Sequence, residues 1–536
     1  MTFGSGGRDR EPHDREDEWR RLDRKALIVA GEMLAGVAVG AAVPVTLGLS
    51  STVPLAPLLL CVIGGAVLLI GGGLLVEALR LRHTTYRIGV ERAVMHHGVF
   101  FTRRRSLPRE RIRVVDLTAH PLQRALGLVT VRIGTGEQSA GTGATLVLNP
   151  VTRAEGERLR QELLRRPETC GGDARGKRLA TFDPRWIRYA PVSFLTPLLA
   201  VTAGGAVMQV SDWFGIQLDV IDWIGDRFEK VRVVWMVLCL IGIALVAGAV
   251  GALALWTEVW WNHRLDRTPD GTLRVRRGLF TARSISLEEA RLRGIDRVEP
   301  LGARLCGAAR VDAVATGLTQ SEKDHTSDNN TLLPAAPCDL ADRVITEVLR
   351  EPEPPTGIPL TSHPPAALRR RLRWALAAAL VPVLVLTVLG ALLTDVLLWI
   401  AAACALLGVP SALLHGRDLY RGLGHGLTGR YLVVRSGSLR RSTVALQRSE
   451  VIGWTVRRTP FQRRDGLVTV FATTAAGAGA YPARDVGESE GLAFANEAVP
   501  GLLAPFLEDV GERTDSGARW TGRQVPGTDG TLREKR

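Results

Sequence analysis

Apolar residues in this chain gather into long runs separated by stretches that alternate with a shorter period. Six windows, at about 26–49, 55–79, 189–210, 233–256, 374–394 and 396–414, are predominantly apolar over roughly 20 residues, the length a helix needs to cross a bilayer. They fall as three close pairs, which predicts three helical hairpins. The first pair joins through Ser51-Thr52-Val53-Pro54 and the third through Thr394-Asp395. The second has a longer connector, 211–232, in which Trp213, Phe214, Ile216, Leu218, Ile221, Trp223, Ile224 and Phe228 recur among Asp212, Asp219, Asp222 and Asp226. Such spacing predicts an amphipathic helix lying in the outer interface, as a cover over the bundle more than a binding surface.

After each hairpin comes a strand-rich segment, and the segments repeat. His120-Pro121-Leu122-Gln123-Arg124-Ala125-Leu126-Gly127-Leu128-Val129-Thr130-Val131 matches Thr459-Pro460-Phe461-Gln462-Arg463-Arg464-Asp465-Gly466-Leu467-Val468-Thr469-Val470. Twenty-nine residues before each of these glycines stands another, Gly98 and Gly437, and the middle segment keeps the frame with Gly278, Arg304 and Gly307. Short strands are predicted at 86–90, 94–101, 112–117, 128–133 and 144–148 in the first copy. A closing helix follows at 153–165, with counterparts at 340–349 and 491–507. The expected layout is a polar N-terminus without structure at 1–25; hairpins at 26–80, 185–258 and 369–416; strand-rich units at 81–166, 259–350 and 417–510; linkers at 167–184 and 351–368, the latter stiff and Pro-rich; a polar loop at 321–330; and a tail without structure at 511–536.

This combination of a helical hairpin, a strand-rich unit and the line Pro-[LF]-Gln-Arg-x-x-Gly-Leu-Val-Thr-Val resembles the bacterial pleckstrin-homology-like membrane proteins typified by YdbS and YdbT, here in three copies. The resemblance implies an α+β membrane protein: six transmembrane helices in three hairpins, each followed by a pleckstrin-like sandwich or barrel of seven strands capped by a C-terminal helix. It also implies no catalytic residue, and an association with resistance to antimicrobial compounds. The middle unit departs from the line, reading Glu299-Pro300-Leu301-Gly302-Ala303-Arg304, and is expected to be structurally present and functionally silent.

Charge orients this layout. Arg20, Arg21, Arg24 and Lys25 precede the first hairpin and Arg80 and Arg82 follow it; Arg185, Arg188, Arg264 and Arg267 flank the second; Arg369, Arg370, Arg371, Arg373, Arg417 and Arg421 flank the third. The positive-inside bias then puts both termini and all three units in the cytoplasm of a bacterial cell, with the protein multi-pass in the cell membrane. Segment 1–23 has no apolar stretch and is not expected to be a cleaved signal. Composition agrees: 46% hydrophobic against 23% charged, mean hydropathy +0.10, and a net charge of +14 in which only five of the 68 basic residues are Lys. Aromatic residues are only 5%, and no recognition motif accompanies the charge, so nucleic acid is not expected as a partner.

Candidate chemistry is sparse. Gly171-Gly172-Asp173-Ala174-Arg175-Gly176-Lys177-Arg178 approaches a P-loop but has Arg178 where Ser or Thr would bind magnesium, so a linker is expected. Six scattered Cys form no C-x-x-C pair, and His83, His96, His97, His263, His415 and His425 show no ligand spacing, so no metal, cofactor or disulfide framework is expected. Glu32 inside the first span is read as a snorkelling or Arg-paired carboxylate, and Gly36-x-x-x-Gly40 as a chance pattern. The contact candidates are basic: Arg103, Arg104 and Arg105, Arg276 and Arg277 with Arg283, and Arg440 and Arg441, which read equally as contacts for anionic inner-leaflet lipid or as an ordinary solvated basic face that satisfies the positive-inside bias. To these are added the pairs Gln123-Arg124 and Gln462-Arg463, free to project from a loop that Leu122 or Phe461 anchors to the unit's core while the glycine supplies a dihedral other residues avoid; they either meet a partner or the membrane or, the favoured reading, tie the loop to nearby carbonyls. The functional expectation is a non-enzymatic scaffold whose units bind lipid headgroups, a membrane protein or one another. A transporter or lipid-handling protein with regulatory units is the alternative.

Overall fold

The computed structural model describes residues 19–49, 54–89, 91–97, 103–109, 112, 114–134, 145–164, 176–193, 195–213, 217–228, 233–269, 271–316, 330–503 and 505. The expectations that fall on Gly98, on 171–175, on the loop at 321–329 and on the tail at 511–536 lie outside these residues.

Each unit begins before its hairpin. In unit 1, β1 (Arg20–Arg21) precedes helices α1 (Ala26–Leu49) and α2 (Leu55–His83) and pairs with β2 (Thr85–Ile88), which follows them. Next come β3 (Arg92–His97), β4 (Arg103–Pro108), β5 (Val114–Ala119), the one-turn helix α3 (Pro121–Ala125), β6 (Leu128–Gly134), β7 (Thr145–Thr152) and the closing helix α4 (Arg153–Leu164). Unit 2 repeats the plan with β8 (Lys177–Thr181) paired to β9 (Arg264–Arg267) around α5 (Leu195–Trp213), α6 (Gln217–Phe228) and α7 (Val233–Trp260). It continues through β10 (Thr272–Arg277), β11 (Ala282–Glu288), β12 (Leu292–Pro300), α8 (Leu301–Leu305), β13 (Ala308–Ala315), β14 (Thr331–Pro337) and α9 (Cys338–Leu349). In unit 3 the pre-hairpin strand shrinks to one bridge, Thr361 to His425, around α10 (Pro365–Leu392) and α11 (Asp395–Arg421). Then follow β15 (Gly424–Thr428), β16 (Tyr431–Ser436), β17 (Arg440–Gln447), β18 (Gly453–Arg457), α12 (Pro460–Arg464), β19 (Leu467–Thr473), β20 (Ala480–Gly487) and α13 (Glu488–Ala498).

This corrects three expectations. Arg20–Arg21 is a strand inside the segment expected to lack structure; the supposed linker before hairpin 2 supplies β8, whose Lys177 and Arg178 pair with Glu347 and Asp266; and the Pro-rich stretch packs, with Pro355 and Thr356 buried and Ile358 and Leu360 against the core. Strands of two to five polar-flanked residues carry no alternation signal, and their partners lie a whole hairpin away.

Among the described residues five helices, α1, α2, α7, α10 and α11, are long and apolar enough to cross a membrane. The sixth expected span is α5, 19 residues that include Thr196, Thr202, Gln209, Ser211 and Asp212 and stand outside those five. Helices pack as α1 on α2, α5 on α7 and α10 on α11. Small residues set the approach: a Cβ on Gly248 would meet the Thr196 carbonyl at 2.3 Å, whereas Gly36 and Gly40 face open space. Glu32 lies exposed on α1, and the expected connector helix is α6, with Leu218 and Trp223 exposed.

Each unit is a four-strand sheet (reduced to three plus the bridge in unit 3) and a three-strand sheet, closed by its helix. Val115, Val131, Ile133, Leu148 and Leu159 fill the first core and Ile295, Val311, Leu333, Val344 and Ile345 the second. Full burial of each such side chain contributes about 1.5–3 kcal/mol. The fourth residue of the closing helix is small in all three units, Gly156, Ala341 and Gly491, because it rides directly on the sheet: a Cβ on Gly156 would come within 2.7 Å of Leu117 and Val129.

Candidate functional site

The repeated line folds as a one-turn helix held by its glutamine. In α12, Pro460 fixes the first turn, Thr459 accepts from the Gln462 N–H at 3.2 Å, and Gln462 Oε1 accepts from the Thr459 N–H at 2.9 Å, a reciprocal capping box. The other end of the amide donates to Thr469 Oγ1 at 2.9 Å and to Asp485 Oδ1 at 2.8 Å, at the bulge between β19 and β20. Unit 1 repeats this: Gln123 accepts from the His120 N–H and donates to Thr130 Oγ1 (3.5 Å) and Asn149 Oδ1 (3.3 Å). The turn then closes through Gly127 and Gly466, at φ +70° and +65°, the left-handed region expected of them. Gln123 and Gln462 are therefore buried, not projecting, because the third position of a one-turn helix points its side chain back over its own N-terminus. Nor does the preceding apolar residue anchor the unit's core: Phe461 is 54% exposed and meets Trp374 of α10 edge-on at 5.8 Å, so it faces the hairpin. In unit 2, Gly302 stands at this place against the Val192 carbonyl; Ala303, Arg310 and Pro334 occupy the positions of the glutamine, the threonine and the bulge.

In unit 3 the lock extends to the membrane helix. Asp485, fully buried at φ +56°, also accepts from Arg370 Nη1 and pairs with Arg371 Nη2, both at 2.5 Å, and Arg373 pairs with Asp465. One carboxylate ties the one-turn helix, the last strand and α10 together.

The arginine after the glutamine reaches the neighbouring unit. Arg124 Nη1 donates to the Leu279 carbonyl at 2.8 Å, and Arg304 Nη1 to the Ser438 carbonyl at 3.3 Å; Leu279 and Ser438 are both one residue past the frame glycine of the next unit. Arg463 forms no hydrogen bond or ion pair among the described residues.

These latches sit on joints where sheets of successive units fuse. Strand β5 pairs antiparallel with β11, giving the order β7-β6-β5-β11-β10-β9-β8, and β12 pairs with β17, giving β14-β13-β12-β17-β16-β15. Both joints use one register, Ala119 opposite Ala282 and Glu299 opposite Arg441. The first has three register pairs and the second seven, from Gly294–Leu446 to Pro300–Arg440. Gly294 permits the longer joint, since a Cβ there would fall 2.2 Å from the Ala445 carbonyl. Tyr431, Val433 and Ala445 of unit 3 join the core of unit 2.

An aspartate marks each joint. Asp296 accepts from Ser442 Oγ at 2.6 Å, and burial with repulsion from Asp312 raises its pKa to about 6. Asp116 is buried, its pKa raised by that burial against the opposing charges of Arg132, Arg283 and Arg277. Both stand 18 residues after the frame glycine, Gly98 and Gly278, a signal the sequence offered; Thr455 occupies the place in unit 3.

The basic candidates separate. Arg441 bonds Asp418 at 3.1 Å inside the second joint, beside Arg304 on the same carboxylate at 2.8 Å, while Arg440 stays largely exposed 3.9 Å from Asp312. Arg277 is buried over the Trp260 ring at 4.2 Å. Arg103, Arg104 and Arg105 lie on β4, the outer strand of its sheet. Among the described residues no group of three or more His, Cys, Asp or Glu could hold a metal ion, and Cys61, Cys239, Cys306, Cys338 and Cys404 are free.

A family model described as bacterial PH domain matches residues 33–167 and 376–495. Over these two regions the chain is similar to bacterial PH-domain membrane proteins of the YdbS/YdbT type. The two matches cover units 1 and 3, which have the glutamine lock, and leave aside unit 2, which has Ala303 in the glutamine's place while keeping the one-turn helix. The UPF0699 transmembrane protein YdbT of Bacillus subtilis (strain 168) is 24% identical over 260 residues, 46% of this chain. The chain spans about half the length of that curated relative, 52% of it. No solved structure matches this chain significantly.

Proposed function

We propose that this protein is a non-catalytic membrane scaffold: six spans in three hairpins, with α5 as the third span, hold three PH units on the cytoplasmic face as one platform for a protein or for anionic headgroups. The observation that carries this reading is the fusion of the units through β5–β11 and β12–β17, which makes one rigid surface out of three modules that a flexible tether would leave independent. The Asp485–Arg370–Arg371 and Arg304–Asp418 contacts couple that surface to the hairpins. A role in resistance to antimicrobial compounds is implied by family resemblance and belongs to the same proposal.

Two measurements test it. Reporter fusions after Arg267 and Arg421 should report cytoplasm and one within 217–228 the outside; the reverse orientation sinks the platform. Gly294→Val, which drives a side chain into the β17 backbone, should leave the protein inserted but release the membrane proteins that cross-link to it in native membranes. An unchanged cross-linked set would mean that the joined platform is not the functional unit.

A further inference from the structure

Of the six strands that stand at joint positions in the three units, two pair with no neighbouring unit among the described residues: β4, at one side of the unit 1 sheet, and β18, at one side of the last sheet. The two joints inside the chain show what a β4-type edge receives. The strand set against β11 carries Asp116 and the strand set against β17 carries Asp296. Each faces a polar or basic residue five positions past the frame glycine, Arg283 in the first joint and Ser442 in the second. The residue at that position of β4 is Arg103, followed by Arg104, so this edge repeats the basic chemistry that faces the aspartate in the first joint.

We propose that the free edge of β4 is the docking site for an acid-bearing β-strand of another protein, one with a carboxylate at the place of Asp116 and Asp296. This deepens the scaffold reading and rests on it. Strand addition to an open edge gives affinity through main-chain hydrogen bonds and specificity through alternate side chains. A second copy of this chain is a poor occupant, because its open strand β18 has Thr455 where the aspartate belongs, and the shared register would set Arg457 opposite Arg103. An Arg-rich edge also disfavours non-specific sheet growth, which leaves a carboxylate-bearing strand as the matched partner.

The test places a photo-reactive phenylalanine analogue at position 104 of the full chain in nanodiscs. Three synthetic peptides are offered at low salt: a copy of residues 292–300, the same peptide with Asp296→Asn, and a copy of residues 451–459. The first should label at least tenfold more than the others, and Arg103→Glu should abolish its labelling with no change in melting temperature. In native membranes the adduct should join a different chain through a peptide that carries Asp or Glu. Equal or absent labelling of the three peptides overturns the inference, as does an adduct with a second copy or with residues 1–18 of the same chain. Gly294→Val leaves β4 intact and its labelling unchanged, so failure here is distinct from failure of the scaffold reading.

Discussion

Replacing Asp485 by Asn isolates the charge that binds unit 3 to its hairpin. The substitution keeps shape and keeps an acceptor for Gln462, as Asn149 does in unit 1, and Asn tolerates the left-handed conformation at φ +56°. It removes the countercharge of Arg370 and Arg371, whose side chains are 15% and 18% exposed against 1% for the aspartate. Breaking a buried ion pair costs about 3–5 kcal/mol because a desolvated charge is left behind. The remaining access of water to both arginines puts this case near the lower figure, about 3 kcal/mol, or roughly a hundredfold in the local opening equilibrium. Native-state hydrogen exchange of the β20 amides in nanodiscs reads that opening directly. Adding Arg370→Gln and Arg371→Gln should recover at least half of the loss, since the uncompensated charges go with them. A loss below about 1 kcal/mol, or a triple variant no better than the single one, would refute the claim that this carboxylate is held as a paired buried charge.

Arg124→Ala should speed exchange across β5 and β11, at a cost of roughly 1 kcal/mol, whereas Arg463→Ala, which breaks no hydrogen bond among the described residues, should leave exchange and melting unchanged. Asp296→Asn should stabilise the second joint at pH 8 and have no effect at pH 4. Its folded pKa of about 6 lies above the ordinary 3.8, so the native state prefers the protonated acid and loses stability as pH rises through 6; a loss on substitution at pH 8 contradicts this. Buried His363 and His425 have pKa values lowered by burial from 6.5 to about 4, so the unfolded state takes up protons first on acidification. Stability should fall from pH 6.5 toward 4, by roughly 2 kcal/mol per histidine at pH 5, and melting curves of His363→Asn/His425→Asn should show a flatter dependence.

The long apolar helices, the threefold frame and the turn glycines were readable in the chain because each is local: a run of apolar residues, a fixed offset, a position that needs positive φ. Gln123 and Gln462 were misread because a polar residue beside Pro-Leu or Pro-Phe looks outward until the one-turn helix is drawn; then its third side chain folds over the N-terminus and Phe461 turns to Trp374. The pre-hairpin strands escaped because Arg20–Arg21 and Lys177–Thr181 find partners only after a membrane hairpin has intervened. The joints are non-local in the same way: nothing along β5 announces β11. Yet the aspartates at equal offset from Gly98 and Gly278, with Thr455 in the third copy, distinguish the strands that receive a neighbour from the one that has none among the described residues.

That distribution explains why the middle unit could drift furthest from the repeated line. In a repeat array, stability divides between each module and its interfaces with neighbours. Units 1 and 3 have one joint each within the chain, and both keep the buried amide network of glutamine, threonine and Asn149 or Asp485 to fix the one-turn helix on the sheet. Unit 2 has two joints and a core that continues into unit 3 through Tyr431, Val433 and Ala445. Its one-turn helix is pinned from outside, by the Leu301 N–H to the Leu439 carbonyl at 2.7 Å and by Arg304 to Ser438 and Asp418, so the internal lock is redundant. A buried glutamine is favourable only when every partner is present, and once neighbours hold the helix, Ala303 fills the same site with no polar atom to satisfy. The absence of the glutamine from unit 2 fits its place in the array: beyond the arginine latch that it shares with unit 1, its helix is held by the Leu439 carbonyl and by Asp418.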